Sequence, residues 1–391
     1  MISVSEALNH LFALAQPLEA ETVPLTQANG RVLAKPVAAR RDQPPFSASA
    51  MDGYAVINTE VAPGAQFTVI GDSAAGHGFD GTISAGLATR IFTGAPLPKG
   101  ADRVIIQEDV TRDGDTITLG DNIDTSHYVR AKGNDFRDGQ TLDAPRLLRP
   151  NDIALMAAMN IAEVPVTRRP VVAIMATGDE LVMPGDTPGP DQIIASNSFG
   201  LQAMLTDMGC DVRLLPIARD TEVSLKAAFF HCHDVDLVLT IGGASVGDHD
   251  LVGKVAADLG MERSFYKIAM RPGKPLMAGR LTSGAMMIGL PGNPVSAMVC
   301  GTVFVAPVIR AMLGLKAEPA PTLKAPLAHK ITQNGPREHY MRARIENGAL
   351  TVFNRQDSAL LTVLSEANAL AIRPPHDPAR KAGEILNYIR I

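Results

Sequence analysis

The sequence predicts an α/β plus β fold: a multidomain chain with a doubly wound sheet domain over about residues 170–315, an all-β module over about 40–140 and a small β module after 316. Three observations predict it. Apolar β-branched runs alternate with helical patterns in the second half, which is the βαβ rhythm of a parallel sheet. Short β-rich runs separated by Gly, Pro and Asp fill the region from about 40 to 140. Glycine-punctuated segments follow apolar stretches of the second half, at 242–250, 270–275 and 289–296.

Taken in order, Ser3 and Glu6 form an S-x-x-E capping box ahead of Ala7, Leu8, Leu11 and Phe12, so residues 1–16 read as an amphipathic helix. Short strands broken by Asn29-Gly30 follow over 22–37. The all-β module supplies runs at 66–70, 89–93, 103–107 and 116–119, and a helix at 149–160 leads out of it. Strands are expected at 171–176, 211–218 and 236–241, with helices at 198–208, 221–231 and near 251–259. The C-terminal module reads as strands at 341–345, 350–353, 369–373 and 384–389.

Composition narrows the function classes. The 391 residues are 46% hydrophobic and 20% charged, ordinary for a folded chain with a sizeable core, and no repeat or low-complexity stretch occurs. A net charge of −5 without a basic tract argues against a nucleic-acid partner. The three cysteines (Cys210, Cys232, Cys300) lack metal-type spacing, and their scarcity fits a reducing compartment. The N-terminus has no cationic region and apolar core of a signal peptide, so a cytoplasmic location is expected. The most membrane-like stretch, 295–309, carries Ser296, Thr302 and Pro307 and is read as a buried helix too short to span a bilayer.

The chemistry gathers at predicted strand ends. Glycines directly after a strand let the backbone approach a ligand, and a following helix would present free N–H groups to an anion. Gly242, Gly243 and Ser245 lie in such a segment, and Pro291, Pro294 and Ser296 in another. Asp179-Glu180, Arg219-Asp220 and Asp248/Asp250 fall at other strand ends, and Lys267, Arg271 and Lys274 surround the M-R-P-G-K-P turn. Carboxylates beside an anion loop suit phosphate chemistry when a hard divalent cation sits between them, with Lys and Arg supplying further positive potential. Each cluster alone also has a structural reading: Asp179-Glu180 and Asp220 as helix N-caps, Gly242-Gly243 as a tight turn. His231-Cys232-His233 reads as structural, because i and i+2 side chains diverge on a helix.

Seven ordered motifs together resemble the molybdopterin molybdenumtransferase family, whose relatives include the E domain of gephyrin. They are S-A-M-D-G-Y-A at 49–55, T-G-A-P-L-P-K-G-A-D at 93–102, G-N-D-F at 133–136, A-T-G-D-E-L at 176–181, G-G-A-S-V-G-D-H-D at 242–250, M-R-P-G-K-P at 270–275 and G-L-P-G-N-P-V-S at 289–296. The resemblance covers nearly the whole chain. It implies an elongated homodimer of four-part subunits, with an α/β molybdopterin-binding domain (1–20 and 166–316) similar to the small molybdopterin adenylyltransferases. A linking domain (21–39 and 139–165), a β-rich module (40–138) and a C-terminal β-barrel-like module (317–391) complete it. The implied reaction inserts molybdate into adenylylated molybdopterin and releases AMP, with Mg²⁺.

By motif, Asp52, Thr93, Asp135, Glu180, Asp220, Asp250, Lys267 and Arg271 would be catalytic, with Glu180, Asp220 and Asp250 as metal ligands. The same resemblance assigns molybdopterin and molybdate binding to Gly242, Gly243, Ser245, Lys274, Pro291, Pro294, Ser296, Arg342 and Ser358. Molybdopterin adenylyltransferase and cofactor-accepting proteins are the implied protein partners. The alternatives are a molybdopterin-binding scaffold or carrier without turnover, and a tungstate-preferring paralogue. An adenylyltransferase is disfavoured, because that enzyme resembles the sheet domain alone.

Overall fold

The computed structural model describes residues 1–243 and 251–391. The chain forms two compact units, one of Met1–Glu21, Gly30–Ala34 and Val166–Ile391, the other of Thr22–Asn29 and Lys35–Pro165.

The first unit is built on a six-stranded sheet in the order Asp211–Leu214, Val171–Ala176, Leu237–Ile241, Met286–Leu290, Met277–Arg280, Glu262–Tyr266. The first four strands are parallel. The last two run antiparallel to their neighbours, so the sheet is mixed where an all-parallel one was expected. The reason is the connection. Met277–Arg280 and Met286–Leu290 are joined by a short turn through Gly284 (φ +90), too short for a crossover helix. Gly279 also lies so close to its neighbour that an added Cβ would sit 2.5 Å from the Glu262 carbonyl oxygen.

Alternating residues of the central strands feed two cores. Val172 and Ile174 pack with Leu237 and Leu239 against the helices Val4–Leu14 and Asn197–Asp207. Ala173, Met175 and Val238 face the helices Glu222–Phe230 and Leu251–Asp258 on the other side. This is the doubly wound arrangement, with an apolar layer on each face. The capping box is present: Ser3 Oγ accepts the Glu6 amide at 3.1 Å, and Glu6 Oε2 accepts the Ser3 amide at 2.7 Å.

The helical stretch Pro294–Met312 runs 19 residues through a π-turn segment at Gly301–Val305. Its length and apolar composition (mean hydropathy 1.8) would suit a membrane span, which corrects the expectation that it is too short. What identifies it as a core helix is that 78% of it is buried within the unit.

The expected strand 211–218 stops at Leu214. Pro216 has no N–H to give the ladder, and pairing resumes only as a bridge between Thr177 and Ala218. The C-terminal module pairs Met270–Arg271, Glu338–Glu346, Ala369–Arg373, Ile385–Arg390 and Leu323–Pro326 in that order. Ala349–Val352 pairs beside Glu338–Glu346, and a bridge from Leu327, just after Leu323–Pro326, to Leu350 links that end of the order to this side strand in a barrel-like closure. A helix, Leu361–Glu366, was not foreseen there.

The second unit carries a six-stranded sheet in the order Arg103–Ile106, Gly53–Val56, Leu87–Ile91, Gln66–Ser73, Thr116–Leu119, Val110–Asp113. Tyr54, Val56, Phe67, Ile105 and Ile117 form its core. Gly53 is required there, because a Cβ would lie 1.9 Å from the Ile105 carbonyl oxygen.

Candidate functional site

The carboxyl ends of the central strands open into a cavity of about 820 Å³ within the first unit. Its floor is set by glycines. Gly242 (φ +91) and Gly243 (φ +64) adopt left-handed backbone, and added Cβ atoms would meet the Thr177 carbonyl at 2.7 Å and Val252 Cγ2 at 2.2 Å. Strand Leu237–Ile241 therefore turns hard against the end of Val171–Ala176, and the Gly242 amide donates to the Leu290 carbonyl at 3.1 Å.

One wall is acidic. The Gly178 amide donates to the Ala218 carbonyl at 3.1 Å, which brings the loops carrying Asp179-Glu180 and Asp220 together. The Asp220 amide donates to Asp179 Oδ1 at 3.3 Å. Burial, and then the charges of Asp179 and Glu180, push the Asp220 carboxyl above its ordinary range. Neither N-cap reading holds. The helix Glu222–Phe230 is capped by Thr221, whose hydroxyl accepts the Ser224 amide at 3.2 Å, and Glu180 leads into the strand Leu181–Val182.

The opposite wall is cationic and comes from the M-R-P-G-K-P turn and the C-terminal module. Arg271, Lys274, Arg337, Gln356 and Ser358 line it. Gly273 (φ +105) holds the turn on the core, where a Cβ would lie 2.4 Å from Cys300 Sγ. The loop at 356–358 is stapled to the start of the helix Pro294–Cys300: Asn293 Nδ2 donates to Ser358 Oγ at 3.0 Å, and the Val295 amide to the Ser358 carbonyl at 3.0 Å.

Behind this loop lies Arg342, fully buried. Its Nη2 donates to the Asp357 carbonyl at 2.9 Å, while Nε and Nη1 have no partner. Gln356 brackets its backbone, accepting the Arg342 amide at 3.0 Å and donating to its carbonyl at 2.9 Å. Burial, and then the Arg271 charge, pull the guanidinium down to about 10. His339, also buried, is pulled down to about 4 by burial and then by Arg271, Arg342, Arg373 and Arg337. A buried cation with two unpartnered nitrogens is a costly arrangement unless an anion completes it.

Of the sequence-predicted residues, Glu180, Asp220, Gly242, Gly243, Arg271, Lys274, Pro291, Pro294, Ser296 and Ser358 line this one cavity. Arg342 backs it. Lys267 is not among the lining residues; its ammonium lies 5.0 Å from the Tyr266 ring centroid. Ser245 and Asp250 lie outside the described residues, as does the glycine loop's entry into the helix Leu251–Asp258. Among the described residues no three of His, Cys, Asp or Glu are assembled to hold a metal ion. In His231-Cys232-His233, Cys232 is buried and its Sγ donates to the Ala228 carbonyl at 3.5 Å.

In the second unit, Asp52 and Thr93 meet. Asp52 Oδ1 accepts the Thr93 amide at 2.7 Å and the Thr93 hydroxyl at 2.8 Å, and these bonds lower the Asp52 carboxyl. Asp135 lines a cavity of about 680 Å³ with Arg41, Arg130 and Asn134.

Sequence reasoning missed Arg337, Gln356 and Asn197, whose Nδ2 donates to the Gly292 carbonyl at 2.7 Å. Gly335-Pro336 before Arg337, at the entry to a strand, was the available signal for the first.

A doubly wound α/β domain with facing acidic and cationic walls at its strand ends defines a protein that takes a polyanionic ligand. Three family models match the chain. "MoeA N-terminal region (domain I and II)" matches residues 2–160, "Probable molybdopterin binding domain" 173–311, and "MoeA C-terminal region (domain IV)" 324–391. A molybdopterin molybdenumtransferase from a Nostoc species is 35% identical over 96% of this chain and 90% of its own length. Molybdopterin molybdenumtransferase 2 of Mycobacterium tuberculosis is 35% identical over 95% of each. The crystal structure of the molybdopterin biosynthesis moeA protein from Pyrococcus horikoshii OT3 superposes with a TM-score of 0.87 at 27% identity, covering all of both chains. The chain belongs to the molybdopterin molybdenumtransferase family.

Proposed function

We propose that the protein is a molybdenumtransferase that takes adenylylated molybdopterin and molybdate, cleaves the adenylate and releases AMP and molybdenum cofactor. The observation that carries this reading is the divided cavity, with Glu180 and Asp220 on one side and Arg271, Lys274 and Arg337 on the other, backed by the unpaired guanidinium of Arg342. A substrate with a phosphoanhydride and a separate oxyanion needs such a division, since carboxylates alone repel both.

Molybdate, a dianion, is assigned to Lys274, Ser296, Ser358 and Arg342. Two nitrogens of the buried Arg342 guanidinium, Nε and Nη1, lack partners and have N–H donors to offer an oxyanion. The glycine floor at 242–243 is assigned to the pterin phosphate, because only glycine lets the backbone come so close there.

Mg²⁺ is assigned to Glu180 and Asp220, with Asp250 as a proposed third ligand. The donor set fits, because Asp220 is raised by burial and then by the charges of Asp179 and Glu180, and a hard cation between carboxylates relieves that repulsion. When bound, Mg²⁺ would neutralise phosphoanhydride charge. The chain's own residues hold the two anions at fixed separation, which lowers the entropic part of the barrier. Asp52, steadied by Thr93, and Asp135 are assigned to the same reaction, and the protein is proposed to act as a homodimer in the cytoplasm.

The test is AMP release from adenylylated molybdopterin with Mg²⁺, with and without micromolar molybdate. Molybdate-dependent release with cofactor formation is expected. Tight substrate binding without turnover would overturn the reading in favour of a carrier, and equal or better turnover with tungstate would reassign the oxyanion.

A further inference from the structure

We propose that Arg271 and Arg337 form a second anion subsite, distinct from the molybdate position, which holds a phosphate group of the substrate. The proposal rests on the molybdenumtransferase reading and adds to it the residues that grip the substrate's phosphate on the C-terminal wall.

The geometry comes from the join between the M-R-P-G-K-P turn and the C-terminal sheet. Met270–Arg271 runs parallel to the start of Glu338–Glu346, with Met270 opposite Glu338 and Arg271 opposite His339. Arg337 Nη1 reaches back to the Met270 carbonyl at 3.4 Å, which sets its guanidinium beside the backbone that carries Arg271. The Arg337 backbone is anchored in turn: Asn334 Nδ2 donates to its carbonyl at 3.0 Å and to the Pro374 carbonyl at 2.7 Å.

Both arginines line the cavity, and neither has a salt bridge to a carboxylate among the described residues. The contrast is Arg373, opposite His339 on the next strand. It is fully buried and neutralised by Asp377 together with the Thr332 and Pro378 carbonyls. Arg373 is structural, whereas Arg271 and Arg337 keep their donors open to the cavity.

Charge counting separates the two subsites. A single dianion is met by Lys274 and Arg342, which leaves two guanidinium charges on the same wall. Two adjacent planar forks suit the three oxygens of a phosphate better than a lone point charge does. His339, buried with its Nε2 unpartnered, lies in register with Arg271, and it is kept neutral by burial and by the surrounding arginines. It therefore neither competes for the anion as a cation nor repels it.

The experiment is titration calorimetry on the purified full chain in metal-free buffer, where the acidic wall contributes no bound cation. Sodium molybdate and inorganic pyrophosphate are the two probes. Arg337→Gln and Arg271→Gln are each expected to weaken pyrophosphate about 10-fold or more while molybdate changes less than about 3-fold, with Lys274→Gln giving the reverse pattern. Arg337→Lys should recover part of the pyrophosphate affinity, a rescue that a merely structural role would not produce. In turnover, Arg337→Gln should raise KM for the adenylylated substrate more than it lowers kcat. Wild-type protein that binds both probes, with Arg337→Gln keeping pyrophosphate affinity or losing both probes equally, overturns the subsite alone. Wild-type protein that binds neither probe overturns the subsite and the functional reading together.

Discussion

Replacing Arg342 by Met should uncouple stability from ligand binding. The wild-type guanidinium is fully buried with two unpaired nitrogens, and its pull-down from the ordinary arginine range to about 10 corresponds to roughly 3 kcal/mol of disfavoured charge. The sign follows from proton counting. From about pH 10 up to the ordinary arginine range the unfolded state binds more protons than the native state, so stability rises with pH only there, and at neutral pH the full penalty is present. Against it stands one charged hydrogen bond to the Asp357 carbonyl, worth about 1.5–3 kcal/mol. Met, similar in length and flexible, fills the volume without the charge. The expected net change is between zero and about 1.5 kcal/mol of added stability, as for other buried charges replaced by apolar side chains. Denaturant unfolding at pH 7.5 measures it, and calorimetry with molybdate measures the other side, where affinity should drop about 10-fold or more. If Arg342→Met lost more than about 2 kcal/mol of stability while keeping its molybdate affinity, the guanidinium would be structural and the oxyanion assignment would fail.

Three further outcomes follow from the same site. Asp220 is raised by burial and by Asp179 and Glu180, so the native state holds its proton more tightly than the unfolded state. Asp220→Asn should therefore increase thermal stability at pH 7, with the gain shrinking as pH falls into the carboxylate range, while adenylate cleavage drops about 100-fold or more. His339, at about 4 when folded against 6.5 in the unfolded chain, contributes stability that is present above pH 6.5 and is lost as pH falls toward 4. Unfolding free energies from urea titrations across that window should decline by up to roughly 3 kcal/mol in the wild type and stay flatter in His339→Leu, so parallel slopes would refute the assignment. Gly273→Ala forces a side chain into left-handed backbone and onto Cys300 Sγ, with an expected cost of about 2–4 kcal/mol. An unchanged melting temperature for that variant would show that the turn relaxes freely.

Much of the architecture is legible because burial leaves a local pattern. Val171–Ala176, Thr116–Leu119 and Ala369–Arg373 are apolar or alternating runs bounded by turns, and the sequence locates each of them. The antiparallel pairing of Met277–Arg280 is not legible, because strand direction depends on which distant strand accepts the hydrogen bonds. The acid positions were readable from residue type at strand ends. Lys267 carries the same charge signal as Lys274, yet only Lys274 lines the cavity, while the Lys267 ammonium rests over the Tyr266 ring. Arg337 was overlooked because an isolated arginine before a strand looks like any solvated charge until Met270 and the cavity stand beside it.

By itself, the sequence determined where many of the helices and strands fall, where glycines let the backbone come close to a ligand, and which residue types the ligand meets. Those properties depend on neighbours a few residues away, through propensity, capping and the missing Cβ of glycine. Only the tertiary structure decided that Arg342 is buried with unpaired donors, that Asp179 and Glu180 bear on Asp220, and that Arg271 and Arg337 share one wall. Desolvation and Coulomb interaction depend on distance in space, and the loops that set those distances come from segments as far apart as residues 180, 271 and 342.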